Sequence, residues 1–236
     1  ELVDQRWNRL WLLSGAATAW HPLVGGWSTI VCAGIWLIYD RQIAPLRTLL
    51  PGTVGYFFLA AWGVVPALML TWNEPPDLVA EASRIYVFER LPHHLALLHL
   101  PTNEIVVRFI RHLSLLALMA GLQVSISRSA EVPQSAEASP GMTAFGPKSV
   151  VHFAWGAALL AFAGLIIELT LWNQPLVAAR LQRYYWYRLT DFAAAMAVAL
   201  QLTWMIAWGT AQRQARATAL LTATLVFAGW YLASVA

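Results

Sequence analysis

Charge is what this chain is short of. Of its 236 residues only 11% are Asp, Glu, Lys or Arg, whereas 59% are hydrophobic. A soluble domain carries about 25% charged and 45–50% apolar residues. The 27 charged side chains present, 15 basic and 12 acidic, cannot cover a water-facing surface of this size. With a mean hydropathy of +0.57, the composition is that of an integral membrane protein. Cysteine is nearly absent too. Cys32 is alone, which excludes an internal disulfide and leaves the redox compartment open. The net charge of +3 is too small for a nucleic-acid patch, and the pI near 9.3 reflects how few groups titrate. Missing as well are a glycine-rich phosphate loop, a GxSxG elbow, a kinase signature set, an acidic calcium loop and any repeat of fixed period. The opening "ELVDQRWNRLWLLSG" has no basic n-region or cleavage site. The expectation is a single transmembrane domain over residues 1–236, the C-terminal part of a longer chain.

What is present is apolar runs. A spanning helix needs roughly 17–25 mainly apolar residues. Pro22–Tyr39, Pro51–Trp72, Ser149–Trp172, Thr190–Gly209 and Arg216–Ala236 meet this, and Ile110–Ile126 starts within the basic "RFIRH". Leu10–Trp20 is a shorter run. The expectation is an all-α, polytopic transmembrane bundle of six or seven spans. Between the spans, residues 127–148 read as a flexible linker rich in Ser, Ala, Pro and Gly. In the long loop after Trp72, Leu78, Ala82, Ile85, Tyr86 and Glu89 recur at helical spacing, which predicts a short interfacial helix. With seven crossings the basic residues divide eight against seven between the faces, so orientation rests on the short loops around Arg6, Arg9, Arg41 and Arg47. These are placed in the cytoplasm, in a bacterial inner membrane.

Three motifs then fall on the opposite, extracytoplasmic face: "AWHPLVGGW" with His21, "RLPHHL" with Arg90, His93 and His94, and "RYYWYRLTDF" with Tyr184, Tyr185, Arg188 and Asp191. Ionisable groups so close to a bilayer are costly, and together they form a candidate cationic, aromatic-walled site. Each has a plainer alternative. His21 before a proline caps a turn, Arg180 and Arg183 snorkel, and Arg188 with Asp191 forms an intrahelical ion pair. A metal centre is not expected: Glu89, His93, His94 and His99 supply donors, but Pro92 breaks the helix that would align them and HExxH spacing is absent. Haem is not expected either, because His112 and His152 lie toward opposite ends of their spans. No cofactor is assigned.

Together "WHPLVGGWS", "RLPHHL" and "YYWYRLTDF" resemble a family of large bacterial multi-pass membrane proteins of unknown function. Its members carry H-x-x-V-G-G-W, R-x-P-H-H and Y-R-x-x-D motifs, and its layout is similar to that of GT-C-type glycosyltransferases. The resemblance covers about residues 15 to 210 and marks His21, Gly25, Gly26, Arg90, His93, His94, Arg188 and Asp191. It implies a membrane glycosyltransferase using a polyprenyl-phosphate-linked sugar at the extracytoplasmic face. In that reading Arg90 or Arg188 binds the lipid phosphate. His93 or His94 donates to it or moves a proton, while Tyr184, Tyr185 and Trp186 line the lipid or sugar path. The acidic loop that such enzymes use would precede Glu1, and Asp77 and Glu89 are poor substitutes. Two rivals stay open: a carrier of an anionic solute or lipid, and a non-catalytic subunit whose arginines bind membrane lipids. Against the carrier, only Glu168 is an ionisable residue at mid-span and no inverted repeat is visible. Partners beyond lipids, and the oligomeric state, are not specified by these residues.

Overall fold

The computed structural model describes residues 6–130 and 148–209, together with Leu225. Every element among the described residues is helical. The chain opens with α1 (Trp7–Trp20) and α2 (Pro22–Ile35), the latter extended by a π-helical turn over Trp36–Asp40. His21 separates them with extended φ and ψ of −140° and 89°, because a residue before proline is pushed out of the α region. Next, α3 (Leu46–Met69) packs closely along α1. At one end the Asn8 amide bridges α3, donating to the Thr48 carbonyl at 2.8 Å and accepting from the Gly52 N–H at 3.0 Å. At the other end Gly63 abuts the Ala19 carbonyl. Accordingly α1 and α3 run parallel, with α2 returning between them. A Cβ on Gly15 would come within 2.8 Å of Tyr56 Cα, and one on Gly52 within 2.7 Å of Asn8 Cα. Such small-residue contacts are how helices associate where lipid tails remove any hydrophobic drive between them.

Helices α6 (Thr102–Ala130), α7 (Lys148–Thr170) and α9 (Arg188–Gly209) form the second half, with α9 packed against both α6 and α7. Buried Gln201 of α9 donates to the Met119 carbonyl of α6 at 3.1 Å, so even this polar side chain joins the two helices. Among the described residues, four helices are long and apolar enough to cross a membrane: Pro22–Asp40, Leu46–Met69, Thr102–Ile126 and Lys148–Thr170. Their outward faces carry Phe57, Phe58, Trp62, Leu159 and Phe162, all more than half exposed, as lipid-facing surfaces do. The expected six or seven spans are not reached among the described residues. One reason is that α1 has only 14 residues. In addition, α9 opens on charged Arg188 and Asp191, and the run Arg216–Ala236 lies outside the described residues, as does most of the linker 127–148. The third long span begins eight residues before the expected Ile110, so "RFIRH" lies inside α6 rather than ahead of it.

The long loop after α3 is a packed cap. Helix α4 (Pro76–Ile85) continues through a π-helical turn at Tyr86–Arg90, then α5 (Pro92–Leu95) and a 3₁₀ turn at Leu97–His99. Opposite it lies α8 (Pro175–Gln182). Val87, Leu95, Ala96 and Ala179 form a small separate core between them, flanked by Tyr86, Phe88, Leu91 and Tyr185. The predicted short helix exists, but the face it buries is Ala80, Ser83 and Val87, against α8. Leu78 and Ile85 point away and are exposed. Arg180 and Arg183 fasten the cap, donating to the Pro76 carbonyl at 3.3 Å and to Ser83 Oγ at 3.4 Å.

Candidate functional site: a cationic cavity under the cap

Where α6 and α7 diverge, α9 and the cap close a cavity of about 180 Å³. Its walls differ sharply in polarity. Arg108 and His112 stand one turn apart on α6, and they meet His93 and His94 from α5 and Tyr187 and Asp191 at the start of α9. Farther along, the lining is Leu113, Leu116, Ala161, Phe162 and Leu165. Leu113 is 61% exposed and Phe162 58%, so the apolar half opens sideways between α6 and α7. The 25-residue α6 span is ~37 Å long against a hydrocarbon core of ~30 Å. Arg108 and His112 lie ~9 and ~15 Å along it, ahead of the Leu113 and Leu116 side chains that begin the apolar half.

The polar residues bind one another. His112 Nε2 lies 2.9 Å from Asp191 Oδ1 and its Nδ1 lies 3.0 Å from the Arg108 carbonyl oxygen. Arg188 donates to His94 Nδ1 at 3.4 Å and lies 3.9 Å from Asp191 Oδ2. Arg108 donates to the His93 carbonyl, and the His93 and His94 rings stand 4.0 Å apart. Burial, helped by His93 and Arg188, holds the His94 pKa below its ordinary value, so its ring stays neutral and accepts from Arg188. Behind the cavity wall, Glu168 is 1% exposed and accepts from the Leu98 N–H at 2.8 Å and the Tyr187 hydroxyl at 2.7 Å, with His99 Nδ1 at 3.2 Å. Burial first, then the Glu168 carboxylate, hold the Tyr187 phenol well above its usual range. One carboxylate thereby pins both the cap and the entry to α9.

All three motifs reach this end of the bundle. Trp27 donates to the Tyr184 carbonyl and packs on Trp186 at 4.5 Å, and the His21 ring meets Tyr185 edge-on at 6.0 Å. Their roles differ, however. His93, His94 and Asp191 come together in the cavity lining, and Arg188 stands beside them through His94 and Asp191. His21 is the N-cap of α2, with Nδ1 accepting from the Val24 N–H at 3.3 Å. Arg90 ends the π-helical turn, exposed and outside the cavity lining. Tyr184 and Tyr185 do not line the cavity either; Tyr187 does. The cause is a left-handed turn at Tyr185, φ 59°, which redirects the chain from α8 into α9. Tyr185 instead hydrogen-bonds Tyr86 through its hydroxyl, and burial with that bond raises its pKa to about 12. Gly25 is a packing residue: a methyl there would run into the Thr18 backbone, whereas Gly26 faces open space.

Arg108, His112, Tyr187 and the Glu168 contacts were not among the sequence-derived candidates. The i, i+4 spacing of Arg108 and His112 on one helix face was the available signal. Among the described residues, no three His, Cys, Asp or Glu side chains form a metal-ligand set. Comparisons with family models, with curated proteins and with solved structures return no match to this chain, so what it does has to be argued from this cavity.

Proposed function

We propose that this protein is a bacterial inner-membrane protein that binds a lipid-linked phosphate from within the bilayer, in a glycosyltransferase-like role. The single observation that carries this reading is the division of one cavity into a cationic end and an apolar, laterally open groove. A phosphate fits the first, since Arg108 lines it, Arg188 stands beside it against His94, and an arginine fork matches phosphate oxygens. An acyl or prenyl chain fits the second, between Leu113 and Phe162. In glycosyl transfer from such a lipid, the two arginines would neutralise the phosphate as its sugar leaves. The remaining two or three crossings of a six- or seven-span topology belong to the same proposal, as does the extracytoplasmic placing of the cap. The carrier reading gains less support, because α3, α6 and α7 each run through without the mid-membrane break that carriers use to expose backbone to a solute.

The test is lipid binding followed by turnover. In phosphatidylcholine nanodiscs, native mass spectrometry with a phosphomonoester lipid should give adducts. Arg108→Ala or Arg188→Ala should reduce them by about tenfold or more, the scale of one lost hydrogen bond to a charged group. Ala161→Trp, which fills the groove, should reduce them with the arginines intact. Adducts indifferent to all three changes in folded protein would refute the site. A polyprenyl-phosphate-linked sugar that binds through the same residues, yet is never consumed with any acceptor, would leave a binding protein rather than an enzyme.

A further inference from the structure

The charge of this cavity is set by one imidazole held between two acceptors. His112 Nδ1 faces the Arg108 carbonyl oxygen at 3.0 Å, and Nε2 faces Asp191 Oδ1 at 2.9 Å. A carbonyl only accepts, and so does an ionised carboxylate. A neutral imidazole has one N–H, so it would satisfy one oxygen and turn a lone pair toward the other. One additional proton resolves the conflict, either on the ring as an imidazolium or on Asp191 as an acid donating to Nε2. In both descriptions the His112–Asp191 unit is neutral as a whole instead of −1. The groups around it are Arg108 and Arg111 on its own helix, Arg188 on α9, and His93 and His94 from the cap. His94 Nδ1 accepts from Arg188, which fixes that ring as neutral. The cavity wall therefore keeps the full charge of Arg108, and that of Arg188 held beside it against His94. Without the additional proton, Asp191 would cancel one of them.

We infer that the cavity selects a doubly charged head group, a lipid phosphomonoester, over a singly charged phosphodiester, and that the His112–Asp191 unit sets this choice by covering the Asp191 charge. The inference rests on the reading that a lipid phosphate binds here and names its class. A lipid phosphate gains its second charge only once its ester partner has left, so the wall is complementary to the released lipid rather than to the intact diester. An interaction that strengthens as charge develops is the kind that favours the chemical step.

The test compares phosphatidic acid, a phosphomonoester, with phosphatidylglycerol, a phosphodiester of matched chains, in phosphatidylcholine nanodiscs near pH 7.5, where the monoester is largely dianionic. Wild-type protein should prefer phosphatidic acid by about tenfold, equivalent to ~1.4 kcal/mol. His112→Gln exposes the Asp191 charge and should bring the ratio close to one. Asp191→Asn removes that charge and should keep the preference. A purely structural pair would lose it equally in both variants, and that outcome overturns the inference, as does a wild-type ratio near one. Asp191→Asn supplies a parallel arm should His112→Gln fail to fold: a folded Asp191→Asn that loses the preference overturns the inference. These failures are distinct from failure of the binding reading, which would appear as adducts of both lipids indifferent to Arg108→Ala and Arg188→Ala.

Discussion

Glu168 is the residue whose removal should do the most damage. It sits in α7 at 1% exposure and receives the Leu98 amide, the Tyr187 hydroxyl and His99 Nδ1 within 3.2 Å. Each hydrogen bond to a charged group contributes about 1.5–3 kcal/mol, but the relevant loss is that of the partners left without an acceptor. A buried donor left without its acceptor costs about 1–3 kcal/mol, so Glu168→Ala, which strands the Leu98 N–H and the Tyr187 hydroxyl together, should cost about 2–5 kcal/mol. Glu168→Gln should cost less, about 1–2 kcal/mol. Its carbonyl oxygen still accepts from Leu98, and the Tyr187 hydroxyl can turn to accept from the new amide. Tyr187→Phe removes one donor and leaves the others, so about 1–2 kcal/mol is expected again. The assay is equilibrium unfolding in mixed micelles, with limited proteolysis of residues 91–100 as a local readout. The cap should become cleavable in Glu168→Ala before the bundle unfolds, since residues 91–100 then keep to the second half chiefly the hydrogen bonds of Arg108 and Arg188 to His93 and His94 and the small core around Ala179. Glu168→Ala within about 1 kcal/mol of wild type, with an uncleaved cap, would refute the reasoning.

Gly25→Ala should destabilise by about 1–3 kcal/mol, the cost of overpacking, because the neighbour is Thr18 backbone, while Gly26→Ala should stabilise slightly through helix propensity; melting curves of the two variants separate the cases. His94 is held neutral in the fold, with its pKa lowered by burial and by His93 and Arg188. The unfolded chain therefore takes up its proton first, and the stability His94 contributes is full above its ordinary value of 6.5 and lost as pH falls from there toward the folded value; His94→Gln should flatten that acid limb, and an unchanged limb would exclude His94 as its source. Arg90→Ala should change stability by no more than about 0.5 kcal/mol, as exposed substitutions do, and leave lipid adducts intact, in contrast to Arg188→Ala. Equal losses of adducts in both would bring Arg90 back into the site.

An all-helical structure with helices long and apolar enough to cross a membrane was legible in composition, because so charge-poor a chain has little else with which to face its surroundings. The helices were legible wherever hydropathy and helix coincide, as in α3 and α7. They stop coinciding at α6. There Arg108 and His112 depress the hydropathy of a segment that is helical all the same, since Asp191 and the His93 carbonyl receive their donors from elements about 80 residues later and 15 earlier. No local window contains that compensation.

The same distinction explains the mixed outcome at the site. The His21 turn, the His-His loop and the Arg188 segment do meet at one end of the bundle, although the seven crossings from which that was expected are not reached among the described residues. Which side chains face the cavity depends on angles that counting does not supply. The π-helical turn at Tyr86–Arg90 rotates Arg90 outward, and the left-handed Tyr185 exchanges Tyr184 and Tyr185 for Tyr187. Glu168 was visible as a carboxylate in the wrong solvent, and its partners were not, since Leu98 contributes a backbone N–H that carries no sequence signature. A membrane interior tolerates a carboxylate only when such donors converge on it. An unexplained acid in an apolar run is therefore evidence that some distant loop folds back onto it. In this chain that loop is the one carrying the paired histidines, which ties their position to Glu168 as firmly as to any ligand.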